Sequence, residues 1–143
     1  MVLRVATTQF AACGDDANAN IAVAEAVVRR AAADGAKLIL LQELFMGRYW
    51  CQEQDSKHFE RALPAEDNHL LRHFSALALE LGVALPVSFF ERTGVAHFNS
   101  VRFIDSDGSV LPGIYRKSHI PDGPGYQEKF YFSPGDTGFV RPV

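Results

Sequence analysis

Residues 37–45 read Lys-Leu-Ile-Leu-Leu-Gln-Glu-Leu-Phe. The run Leu38-Ile39-Leu40-Leu41 has no polar face, and a short run of that kind reads as a strand buried on both sides. The residues before it say how it is reached. Leu3 to Gln9 alternate, with Leu3, Val5 and Thr7 on one side and Arg4, Ala6 and Thr8 on the other, the period of a strand. Cys13-Gly14-Asp15-Asp16 breaks that pattern, and Asn18 reads as a helix cap. Ile21, Ala24, Val27, Val28 and Ala31 then recur at helical spacing on an alanine-rich background, up to Asp34-Gly35. Strand, helix and buried strand in succession imply a crossover unit and an α/β fold.

Beyond residue 45 the chain is polar and aromatic as far as Pro64. Leu70, Leu71, Phe74, Leu77, Ala78 and Leu81 mark a second amphipathic helix, closed by Gly82. Val83 to Phe90 reads as another buried strand, with Pro86 suggesting an edge or a bulge. His97 to Ile104 alternates, Asp105-Ser106-Asp107-Gly108 signals a hairpin turn, and Val110 to Arg116 returns as its partner. Turn residues dominate after Lys117.

Composition narrows the classes. With 143 residues, 48% of them hydrophobic, the chain is one domain able to bury a core. Fourteen basic against seventeen acidic residues leave a net charge of −3 and no basic stripe, which argues against nucleic acid. No run approaches the roughly 18 apolar residues of a membrane span. Two cysteines, Cys13 and Cys51, make no disulfide framework and fit a reducing cytoplasm best. The histidines show no metal-ligand pattern; His69 and His73 share a helical spacing that reads as a solvated face.

Two charges stand where charges are expensive. Glu43 follows the apolar run directly, and Lys117 ends Ile114-Tyr115-Arg116-Lys117. Each alone reads equally as a solvated charge that has left the core. Together, at the tips of interior strands, they can meet at one rim of a sheet, where α/β sites collect. There each would hold the other ionised. The carboxylate could then act as a base and the ammonium could hold a developing oxyanion.

Leu40-Leu41-Gln42-Glu43-Leu44-Phe45 with Gly47-Arg48-Tyr49, and Tyr115-Arg116-Lys117-Ser118-His119-Ile120-Pro121, resemble the carbon–nitrogen hydrolase (nitrilase) superfamily. The string Tyr115–Gly138, Val87-Ser88-Phe89-Phe90-Glu91 and His97-Phe98-Asn99-Ser100 resemble its N-carbamoylputrescine amidase branch. The resemblance covers the whole chain. It implies the N-terminal half of an α-β-β-α sandwich, with a mixed sheet and helices on one face, within a single truncated domain 1–143.

It also implies a Glu-Lys-Cys triad. Glu43 matches the general base, Lys117 the residue that stabilises the oxyanion, and Glu128 a second, positioning glutamate. The nucleophilic cysteine is expected beyond this chain, since neither Cys13 nor Cys51 matches it. Tyr49, Trp50 and His119 are candidate substrate contacts, although the first two equally anchor their loop and His119 reads foremost as a loop residue. No metal or organic cofactor is implied. The expected partners are a small ureide substrate, with no nucleic acid and no membrane, and a second copy in a dimer-based homo-oligomer. The reaction expected is conversion of N-carbamoylputrescine to putrescine, ammonia and carbon dioxide. Other amidases of the superfamily, such as β-ureidopropionase-like or aliphatic ones, and a catalytically inactive interaction module, stand as alternatives. Strands left without neighbours would expose edges and apolar faces, so the isolated chain is expected to be poorly stable or to aggregate.

Overall fold

A computed structural model describes residues 2–139. Strand β1 (Val5–Thr7), helix α1 (Ala17–Ala33) and strand β2 (Leu38–Leu40) form the expected crossover, with β1 and β2 parallel and Val5 opposite Leu38. Strand β3 (Leu63–Pro64) and helix α2 (His69–Leu81) lead to the long hairpin of β4 (Leu85–Thr93) and β5 (Ala96–Ile104), and β6 (Tyr115–Arg116) pairs with β5. The second sheet has the order β3-β4-β5-β6, mixed because β3 lies parallel to β4 and the rest are antiparallel. The two sheets are joined where Leu38 bridges Ala84, with the Ile39 N–H donating to the Ala84 carbonyl.

Both helices cover one face. Ala24 and Val28 of α1, Phe74 and Leu77 of α2, and Ile39, Val87, Phe89 and Ile104 of the strands make one buried cluster. The opposite face of β4 and β5 is covered by irregular chain. Two 3₁₀ turns, Trp50–Gln52 and Ser56–Arg61, together with Ile120, Tyr131 and Phe132, pack on Phe90 as a second cluster. The Tyr131 hydroxyl fastens that layer, donating to the Glu53 carbonyl at 2.6 Å and accepting from the Asp55 N–H at 2.9 Å.

Several details depart from the sequence reading. The cap of α1 is Asp16, whose carboxylate accepts from the Ala19 N–H at 3.1 Å, and Asn18 lies exposed inside the helix. Strand β2 is buried on one side only. Ile39 is fully enclosed, whereas Leu40 is 47% exposed, because the helices screen a single face of the β1–β2 pair. Leu3 and Val5 share that uncovered side. Pro86 causes no bulge, since the β4–β5 register runs unbroken past it. It falls on the far edge of β4 between Ala84, bonded toward β2, and Glu91, opposite Leu63 of β3, so its missing N–H costs no ladder bond there. The return strand after Gly108 is interrupted: Val110 bridges Ile104, and regular pairing resumes only at Tyr115.

The cap assignment makes a separable prediction. Asp16→Ala should lower stability by about 1 kcal/mol, the usual cost of a lost cap. Asn18→Ala should change it by less than about 0.5 kcal/mol. Urea unfolding of the two variants against the parent chain checks both.

Candidate active site

The sheet brings Glu43 and Lys117 together. Glu43 stands three residues past β2 and Lys117 one residue past β6. Glu43 leaves its strand by an unusual route: the next residue, Leu44, is buried and left-handed, with φ of 52°. Its N–H donates to the Ser88 hydroxyl on β4 at 3.0 Å, in place of a ladder partner.

Lys117 is set by alternation on β6. Arg116 and Lys117 are consecutive and leave the strand on opposite faces. Arg116 turns to the fully buried Glu91, with Nε 2.8 Å from Oε2 and Nη2 2.5 Å from Oε1, while the Ser100 hydroxyl donates to the same carboxylate at 2.6 Å. A forked pair with an added hydroxyl donor satisfies a carboxylate that burial would otherwise penalise heavily. Lys117 faces the other way. Its Nζ lies 3.1 Å from Glu43 Oε1 and 2.9 Å from Glu128 Oε2.

Glu128 opens the 3₁₀ turn Glu128–Phe130 and is buried. Its second oxygen accepts from the Tyr49 hydroxyl at 2.8 Å. Burial and this carboxylate push the Tyr49 phenol well above its ordinary range, so it stays protonated and donates. For Lys117, partial burial disfavours the charge, but hydrogen bonds to Glu128 and Glu43 outweigh it and raise the ammonium above its ordinary value of 10.5. One ammonium thus holds two carboxylates drawn from chain segments 85 residues apart (128 − 43). Asn99, on β5, joins them from the sheet: its side-chain amide donates to Glu43 Oε1 at 2.5 Å and its carbonyl accepts the Lys117 N–H at 2.8 Å.

Residues 4–143 match the family model described as carbon-nitrogen hydrolase. The chain belongs to that family. Over 135 residues it is 58% identical to the N-carbamoylputrescine amidase of Arabidopsis thaliana, covering 94% of this chain and 44% of that protein. The citrullinase of Francisella tularensis subsp. tularensis is 45% identical over 137 residues, 96% of this chain and 47% of the relative. Among solved structures, the carbon-nitrogen hydrolase of Helicobacter pylori G27 superposes with a TM-score of 0.87 at 38% identity, over 96% of this chain and 46% of that one. The chain therefore spans under half the length of these relatives, and its mixed sheet with helices is an N-terminal portion of the carbon-nitrogen hydrolase fold.

The other residues singled out by sequence occupy different surroundings. Tyr49 meets the cluster through Glu128. Trp50 is 6% exposed and packs on Phe90, with the Arg61 guanidinium 5.5 Å above its ring, so it belongs to the second cluster. His119 is exposed and makes no hydrogen bond or ion pair with Glu43, Lys117 or Glu128. Cys51 is fully enclosed, and burial, helped by the nearby Glu128 charge, pushes its thiol up to about 12. A thiol of that kind is protonated at neutral pH and a poor nucleophile. Cys13 is exposed at the turn after β1. Among the described residues no group of three metal-ligating side chains converges, and no helix is long and apolar enough to cross a membrane. Asn99 was missed as a site residue. Its signal was an amide in an alternating strand, next to Phe98 and so on the opposite face from it, the face shared with Phe90, its register partner.

The approach of residues 133–137 to β6 is close enough to test. The Gly135 N–H donates to the Lys117 carbonyl at 2.9 Å, and a Cβ on Gly135 would stand 2.0 Å from the Arg116 carbonyl oxygen. Gly135→Ala should therefore cost about 1–3 kcal/mol in unfolding free energy, because backbone must move. The raised Lys117 value has a signed consequence as well. The ion cluster contributes stability that is complete below the ordinary lysine value of 10.5 and is lost as pH rises through the higher folded value. Urea midpoints measured from pH 8 upward should fall more in the parent than in Lys117→Met, and parallel curves would count against the coupling.

Proposed function

We propose that this chain carries the base and the oxyanion-stabilising cation of an amidase acting on a small ureide, with N-carbamoylputrescine as its substrate. The observation that carries the reading is the Lys117 ammonium held between Glu43 and Glu128 at 3.1 and 2.9 Å. The 58% identity to a plant N-carbamoylputrescine amidase supports the choice of substrate. The nucleophile in this reading is a cysteine sulfur from polypeptide outside these 143 residues.

The steps follow from the groups. Glu43 takes the thiol proton as sulfur attacks the ureido carbon, and the carbonyl oxygen becomes an oxyanion beside Lys117. The tetrahedral species collapses, Glu43 returns the proton to the departing nitrogen, and ammonia leaves a carbamoyl thioester. Glu43 then draws a proton from water as it attacks that thioester. Sulfur leaves and recovers its proton from Glu43, and the carbamate released decays to carbon dioxide and the diamine. Glu128, buried against both Lys117 and the Tyr49 hydroxyl, keeps the ammonium aimed at the reacting oxygen. Cytoplasmic location and a dimer-based assembly accompany this reading, supported by the sparse cysteines and by the family resemblance.

A second reading keeps the chemistry and changes the tail of the substrate. The 45% identity to a citrullinase favours it, because a different ureide presents the same reacting group. Ammonia release by the full-length protein from N-carbamoylputrescine, citrulline, β-ureidopropionate and an aliphatic amide separates the two: the first reading expects the highest kcat/KM on N-carbamoylputrescine. In that protein Glu43→Gln should lower kcat by about 10²–10⁴-fold, the usual worth of a positioned base. Lys117→Ala should lower kcat by about 10²–10³-fold with little change in KM. Activity of Glu43→Gln within a few-fold of the parent, or a pure rise in KM for Lys117→Ala, would overturn the assignments. The 143 residues alone are expected to release no ammonia, since Cys51 is buried and held as a thiol.

A further inference from the structure

The two oxygens of Glu43 are not equivalent. Oε1 accepts from the Asn99 amide at 2.5 Å and from the Lys117 ammonium at 3.1 Å. Among the described residues, Oε2 receives no hydrogen bond. Both groups on Oε1 are donors that cannot take up a proton, so the lone pairs of that oxygen are occupied. The amide nitrogen, and not its oxygen, must face the carboxylate, because two acceptors at that distance would repel.

Asn99 is also better fixed than the carboxylate it holds. It is 4% exposed in the middle of β5, paired with Phe90 of β4, whereas the Glu43 side chain is 53% exposed beyond the end of a short strand. An exposed acid is thus held by a buried amide. The same residue accepts the Lys117 backbone N–H, so one position on β5 sets both the carboxylate and the root of the cation.

We propose that Asn99 is a positioning residue for the reaction: it holds Glu43 by Oε1 so that Oε2 alone is presented to the thiol as the proton acceptor. This rests on Glu43 being the base. Proton transfer needs the acceptor within hydrogen-bond reach and aligned, and a carboxylate free to rotate spends much of its time misdirected.

The test uses the full-length protein with N-carbamoylputrescine and three variants. Asn99→Ala removes the donor and should lower kcat by about 10- to 100-fold, with KM within about twofold of the parent. Asn99→Asp keeps the shape but sets an acceptor against Glu43, and should be worse than alanine. A merely structural asparagine would give the opposite order, since the isosteric variant would be the milder one. Should Asn99→Asp fail to fold, the kcat-against-KM division in Asn99→Ala decides by itself. Either variant within threefold of the parent, a loss carried by KM, or aspartate milder than alanine would overturn the proposal. Glu43→Gln separates the two layers. If it stays active, the base assignment has failed; if it is inactive while both Asn99 variants work normally, only the positioning role has failed.

Discussion

The ammonium of Lys117 is the tie on which the rest of the site depends. It links the tip of β2, through Glu43, to the 3₁₀ turn after residue 127, through Glu128. Without it, two carboxylates would face one another across a partly buried space. Their like charges would then repel one another. With it, both are held in place by the same ammonium. Glu128 has a donor on each oxygen, Tyr49 on one and Lys117 on the other, whereas both donors to Glu43 meet at Oε1, so the buried member of the pair is the one with both oxygens satisfied, as burial demands.

The tie works because β6 is anchored from behind. Arg116 is locked on the buried Glu91 across the opposite face, with its guanidinium 4.1 Å from the Phe98 ring and a further contact to Asp136 at 2.9 Å. Strand alternation then leaves Lys117 one direction to take. The stretch after Glu128 closes the other edge, with Thr137 accepting the Arg116 N–H and Gly135 donating to the Lys117 carbonyl. A two-residue strand is short for so exact a task, and these flanking bonds make up for its length.

Much of this architecture was legible in the sequence, and for identifiable reasons. Periodicity in 21–31 and 70–81 gave both helices, and two charges at the ends of strand patterns pointed to one rim. What escaped was whatever depends on neighbours. The cap of α1 falls at Asp16 because the turn from Cys13 brings that carboxylate, and not Asn18, over the first free N–H groups. Leu40 looked buried because an apolar run carries no information about how many faces are covered. The polar stretch 45–64 gave no periodic signal because 3₁₀ turns of three to six residues are too short to show one. Glu128 came to notice by resemblance alone: a glutamate in an irregular loop looks the same whether it ends in water or in a pocket. Asn99 lay in plain view on an alternating strand, but its partners come from residues 43 and 117, far from it in the chain.

Leu44 holds a backbone conformation that side chains with a Cβ seldom adopt, a cost of order 1 kcal/mol or more. Glycine or asparagine would relieve it. Yet the buried leucine side chain and its N–H on Ser88 fix the angle at which the preceding carboxylate departs from β2. Either replacement would also empty a buried position, at a cost of roughly 2–5 kcal/mol that outweighs the relief, so core packing and the placement of the carboxylate make the same demand on this one residue.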